Sequence, residues 1–154
     1  MTSSNDFQIL EKELALMEEA IKILRYSYDK CNHKPLHDNM SMEDLEEFEA
    51  LNARFARAGD IFIQKLLRLI DKLDLEKPGT VRDLIYRAEK KGIVSDADSL
   101  IEMRNLLNQI AHEYVPEALR GISNSVLHYT PTLFSDFNNL KNYIKEKYST
   151  SIFN

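Results

Sequence analysis

Three polar side chains with chemistry to offer recur at four-residue steps in "MRNLLNQIAHEYV", residues 103–115: Arg104, Asn108 and His112. Side chains four apart stack along one side of an α-helix, so the three form a ladder. Asn105, seven residues before His112, falls on nearly the same side. Imidazole has an unperturbed pKa of about 6.5, so His112 can give or take a proton near neutral pH. An amide one turn earlier, at Asn108, can orient that ring or contact a phosphate. The same ladder is also what the solvated flank of an ordinary amphipathic helix looks like.

The rest of that segment has to hold the ladder in place. At about 100° per residue, Leu100, Met103, Leu107, Ala111 and Tyr114 fall on one side, flanked by Leu106 and Ile110. This is the expected core face. Ser95 is the expected N-cap, and Pro116 limits or kinks the helix beyond Tyr114. Tyr114 belongs to the core stripe by angle, yet at the helix end its hydroxyl can also emerge into a cleft.

Five further helical stretches surround this one. Phe7, Leu10, Leu14, Met17, Ile21 and Leu24 recur at three- and four-residue steps, which predicts an amphipathic helix from Asp6 to about Lys30. "CNHKPLHDNM" breaks the pattern. Ser41 with Asp44 opens the longest signal, with a core stripe at Leu45, Phe48, Leu51, Phe55, Phe62, Leu66, Leu69 and Leu73. Gly59 marks a close crossing or a bend within it. Thr80 and Asp83 start a short helix that Gly92 stops. After Pro116 two more helices are predicted, "PEALRGISNSVLHY" and one carrying Leu133, Phe137, Leu140 and Ile144. Short loops between four to six helices imply an all-α, antiparallel up-and-down bundle. Residues 1–154 read as one domain with an ordered core of about 6–148.

The composition of the 154 residues fits this: 44% hydrophobic, 29% charged, with four Gly and four Pro. So few turn-formers argue against an all-β fold. The net charge of −5 is uneven. Residues 1–80 carry 16 acids and 11 bases, while residues 81–154 carry nine of each. An acidic chain is a poor non-specific binder of nucleic acid, so any RNA contact is expected in the neutral second half. The densest basic patch there is "YRAEKKG", with Arg87, Lys90 and Lys91; it can meet RNA phosphates or serve as a solvated helix end. The single Cys31 forbids an internal disulfide. The opening "MTSSNDFQIL" lacks the basic and apolar regions of a signal peptide. A cytoplasmic protein of bacterial style, without a membrane span, is expected.

"RNLLNQIAHEY" resembles the signature of HEPN domains of the HepT-like group, R-N-x-x-x-H-x-Y, which often reads "RNxIAHEY". Asn108, Ile110, Ala111, His112, Glu113 and Tyr114 match that form. "ARFARAGDIF", "AEKKGIVSDADSLIEMRN" and a closing helix after a proline extend the likeness from about Phe7 to Tyr148. The resemblance implies a HEPN-like helical bundle that pairs as a homodimer, with the two signatures meeting in a cleft. It implies a metal-independent endoribonuclease, in which the histidine is general base or acid and the arginine holds the scissile phosphate. The substrate would be RNA, tRNA or mRNA. It implies a toxin whose antitoxin is a minimal nucleotidyltransferase, able to modify the tyrosine, here Tyr114, with AMP. Other relatives are non-catalytic substrate-binding partners of nucleotidyltransferases.

The chain departs from the signature at one place. The family's arginine position is Leu107, which fits the apolar stripe. Arg104 lies eight residues before His112, roughly 12 Å along the axis. Helical side chains lean toward the N-terminus, which takes its guanidinium further away. Losing one donor to a developing charge commonly costs about 10²–10³ in rate. The expectation is a weakened or inactive nuclease centre of His112, Asn108 and Arg104. His33 and His37 have the spacing of two zinc ligands, but Pro35 between them and the lack of a third ligand speak for a polar loop. Neither a metal nor a cofactor is expected.

Overall fold

The computed structural model describes residues 4–113 and 115–152. The elements are α1 (Ser4–Cys31), α2 (Met42–Asp60), a π-helical segment (Ile61–Leu67), α3 (Arg68–Leu73), α4 (Val81–Lys90), α5 (Ala97–His112) and α6 (Pro116–Ile152). The described residues contain no strand, and the architecture is all-α. α2, the π segment and α3 run without interruption, so the chain forms five continuous helical rods. α1 packs most extensively on α2, while α6 lies against α1, α2 and α5. α4 is held between α5 and the π segment.

Capping residues set the starts. Ser41 Oγ accepts from the Asp44 N–H at 3.1 Å. At α4, Thr80 and Asp83 satisfy each other's backbone N–H in a reciprocal capping box, which closes two of the free donors at a helix start. Gly92 follows α4 with φ +78, a left-handed conformation that glycine adopts without a Cβ penalty.

The apolar faces meet in one core. Leu10, Met17 and Leu24 of α1, Phe48, Leu51 and Phe55 of α2, and Leu133, Phe137, Leu140 and Ile144 of α6 are all buried. In the π segment Phe62, Ile63, Leu66 and Leu67 are buried together. Leu45 and Leu69, expected in the stripe, are half-buried instead.

The two helices expected after Pro116 are a single helix with Pro131 inside it. Proline removes one N–H from the ladder and crowds the carbonyl four residues back. At this point the Thr130 hydroxyl donates to the Val126 carbonyl at 2.6 Å. The helix is also pinned on both sides of Pro131 by buried residues, Val126, Thr130 and Leu133. Tertiary packing therefore carries the helix across a residue that breaks isolated helices.

Ser95 does not cap α5. The N-cap residue is Asp96, which makes no side-chain cap bond. The Ala97 N–H instead donates to Glu89 Oε2 of α4 at 2.8 Å. Ser95 turns the other way and donates through its N–H and its hydroxyl to Asp136 Oδ1 of α6, at 3.2 and 3.0 Å. Asp136 is fully buried, and its Oδ2 has no hydrogen-bond partner among the described residues. Burial pushes this carboxyl above the usual carboxylate range; the Ser95 bonds oppose that, and the nearby Asp96 charge adds to it. A carboxyl whose folded pKa is raised favours the fold when protonated, and that contribution is lost as pH rises through the folded pKa. The stability of the native chain relative to Asp136→Asn is therefore expected to be greater at pH 4, near the unfolded carboxyl value of about 3.9, than at pH 7. Urea melts of both proteins at the two pH values check this, and a constant difference would count against it.

Candidate functional site

α5 puts the ladder on the outside of the bundle. Leu100, Ile101, Met103 and Leu106 are buried, and Leu107 and Ile110 are half-buried. Asn105, Asn108, Gln109 and His112 are exposed, and Arg104 is half-buried. The core face thus covers the first three turns and thins toward the C-terminus. Ala111, expected in the stripe, is exposed. Tyr114, the expected modification site, lies outside the described residues.

Leu107 explains much of this placement. A Cβ built on Gly59 of α2 would stand 3.0 Å from Leu107 Cδ2 and 3.1 Å from Cδ1. Gly59 is buried, so the missing side chain is what lets α5 approach α2 closely. Leu107 is therefore a packing residue in the α2–α5 crossing. Arg104, one turn earlier, does not join the histidine: among the described residues no hydrogen bond or ion pair links Arg104, Asn108 and His112.

His112 stands in the last turn of α5, and the Glu113 N–H closes that turn on the Gln109 carbonyl at 2.9 Å. Glu113 is extended (φ −94, ψ 122), and its side chain accepts from the Val115 N–H at 3.0 Å. The chain then enters α6 at Pro116, where a missing N–H costs nothing because the first helical N–H groups have no internal partner. Beside the end of α5, the N-terminal part of α2 and the start of α6 border an open cleft of about 530 Å³. Leu45, Ala53, Ile110, Val115 and Leu119 give it an apolar lining, with Glu49 and Glu113 on it as well. His112 and Asn108 are not among the cleft-lining residues and stand exposed on the side of α5 away from Ile110. An exposed imidazole beside an exposed amide can exchange a proton with a bound ligand.

The basic patch is differently employed. Arg87 Nε donates to both Asp71 oxygens at 3.2 and 3.0 Å and lies 3.8 Å from Glu76. Lys91 Nζ pairs with Asp74 at 2.9 Å, Asp71 at 3.5 Å and Glu76 at 3.6 Å. Only Lys90 of the three is exposed. Asp74, whose side chain is 2% exposed, also accepts from the hydroxyls of Tyr143 and Tyr148 and pairs with Lys147 at 3.2 Å. These residues clamp α3, α4 and α6 together. Nothing in the periodicity of "DKLDLEKPG" marks this acidic turn as the partner of "YRAEKKG". His33 and His37 lie exposed in the loop after α1, where His37 Nδ1 accepts from the Asn39 N–H at 3.2 Å. Among the described residues no group of three or more His, Cys, Asp or Glu is placed to hold a metal ion, and no helix is long and apolar enough to cross a membrane.

No protein-family model matches this chain, and no curated protein matches it at a significant level.

Proposed function

We propose that this chain is a HEPN-like, HepT-like component of a toxin–antitoxin pair: a metal-independent endoribonuclease, or a weakened descendant of one, held in check by a cognate nucleotidyltransferase. The observation that carries this reading is the exposed pair Asn108 and His112 at the C-terminal end of α5. In this reading His112 moves the proton of an RNA 2′-OH, and Asn108 orients the ring or the phosphate. Two copies of α5 paired about a two-fold axis would bring both ladders to one RNA strand, with Arg104 reaching from one copy to the other.

A second reading is favoured by one observation. Leu107 fills the arginine position of the signature and packs on Gly59, so that position offers no guanidinium for a scissile phosphate. A non-catalytic partner of a nucleotidyltransferase needs no such charge. The two readings part on one assay. Purified protein is incubated with total tRNA without added metal, next to His112→Ala. Cleavage by the native chain that falls at least about 100-fold in the variant is the expected result for a nuclease. No cleavage, or equal cleavage by both proteins, would pass the lead to the binding reading.

A further inference from the structure

The core face of α1 is turned toward α2, the π segment and α6. Beside that face runs a second apolar line: Ile9, Leu16 and Ile23 are 37%, 43% and 44% exposed. They are seven residues apart, the repeat that keeps a seam facing a partner helix in a left-handed coiled coil. Isolated exposed apolar residues are ordinary. Three at heptad spacing along one 28-residue helix stand in one line, roughly 10.5 Å apart along the axis, with Lys12 and Glu19 between them. Tyr26, 63% exposed, extends it at the C-terminal end.

The charges beside the seam choose the occupant. Lys12 and Glu19 are exposed next to it, and among the described residues neither has an ion-pair partner within the chain. A two-fold axis through Leu16 sets the seam antiparallel to itself. Ile9 then lies opposite Ile23 of the second copy, Leu16 opposite Leu16, and Lys12 within one residue of Glu19, twice by symmetry. Parallel pairing would instead set Lys12 on Lys12 and Glu19 on Glu19. The apolar spacing and the charge order are thus both satisfied by the same surface turned end for end, which is the requirement of an isologous contact.

We infer that α1 is a self-association surface, on which a second copy of this chain docks antiparallel through Ile9, Leu16 and Ile23, its register fixed by Lys12 and Glu19. This contact is independent of the nuclease reading. α5 meets α2 on a different side, through Leu107 and Gly59, and is not among the elements that pack extensively on α1. The two α5 ladders are left free by it.

Light scattering on the eluting protein tests this, against a chain mass of 17.9 kDa. The native protein is expected at an even multiple of that mass, and Leu16→Glu at half the native value, with unchanged helical circular dichroism. Lys12→Glu alone is expected to raise the midpoint concentration of association about tenfold, and combining it with Glu19→Lys to restore the native value. Because Lys12 and Glu19 are exposed, these variants report on association even should Leu16→Glu fail to fold. A monomeric native protein, an unchanged mass in folded Leu16→Glu, or a charge swap without rescue would each overturn the inference.

Discussion

Asp74→Ala is expected to cost about 3–5 kcal/mol at pH 7, the largest loss from any single polar residue in this fold. The carboxylate is almost completely enclosed and receives Lys91, Lys147 and the hydroxyls of Tyr143 and Tyr148. Removing it leaves the half-buried Lys91 ammonium with only the longer Asp71 and Glu76 contacts, and two phenols without their acceptor. Burial by itself would raise the Asp74 carboxyl, but the hydrogen bonds from Tyr143, Tyr148 and Lys91 outweigh it and hold the group below the usual carboxylate range. A group whose folded pKa is depressed contributes stability above its unfolded value, near 3.9, and loses it as pH falls through the folded value. The gap between native and variant should therefore be full at neutral pH and narrow below about pH 4. Denaturant melts across that range measure it; a loss under about 1 kcal/mol at pH 7 would mean the cluster is an exposed ion-pair network of little consequence.

Gly59→Leu is expected to destabilise the protein by about 1–3 kcal/mol, through overpacking against Leu107. Gly59→Ala makes the informative contrast. Alanine gains about 1 kcal/mol of helix propensity over glycine. Its Cβ would meet the two Leu107 methyl groups at 3.0 and 3.1 Å, closer than such contacts normally run, so those methyls must shift. The two effects oppose each other, and the net change should be small. Leu107→Ala made in the Gly59→Leu background should then recover part of the loss, with a coupling energy of about 1–2 kcal/mol. Strictly additive losses would show that the two residues do not share one contact.

These two sites also mark where the sequence was readable and where it was not. The spacing of Phe7, Leu10, Leu14, Met17, Ile21 and Leu24 predicted a buried face; four of the six are buried, and Phe7 and Leu14 are half-buried against the core. Thr80 with Asp83 predicted a helix start and forms a reciprocal box. Gly59 was legible as a crossing or a bend, since a glycine inside a helical pattern needs a reason, but its partner Leu107 is 48 residues away and local spacing does not name it. Asp74 gave no signal at all: its value lies in long-range neighbours on α4 and α6. The two helices expected after Pro116 are one for a related reason, because tertiary packing on both sides of Pro131 carries the helix across it. In the candidate site, the exposure of Asn108 and His112 followed from their angles. Ala111 did not follow the stripe: it is exposed in the last turn of α5, where the core face thins.

The π segment has a consequence for the far end of the molecule. A π turn spends an extra residue to complete a rotation, so every side chain after it is set back by roughly 100° from where an uninterrupted α-helix would point it. Asp71 and Asp74 come after that setback. The angle at which they greet Arg87, Lys91 and the two tyrosines is thus written into the seven residues Ile61–Leu67, immediately past the glycine where α5 crosses. In this rod, rotational phase is a structural element in its own right: one residue more or fewer between Gly59 and Asp71 would leave every helix in being and still aim the clamp at empty water.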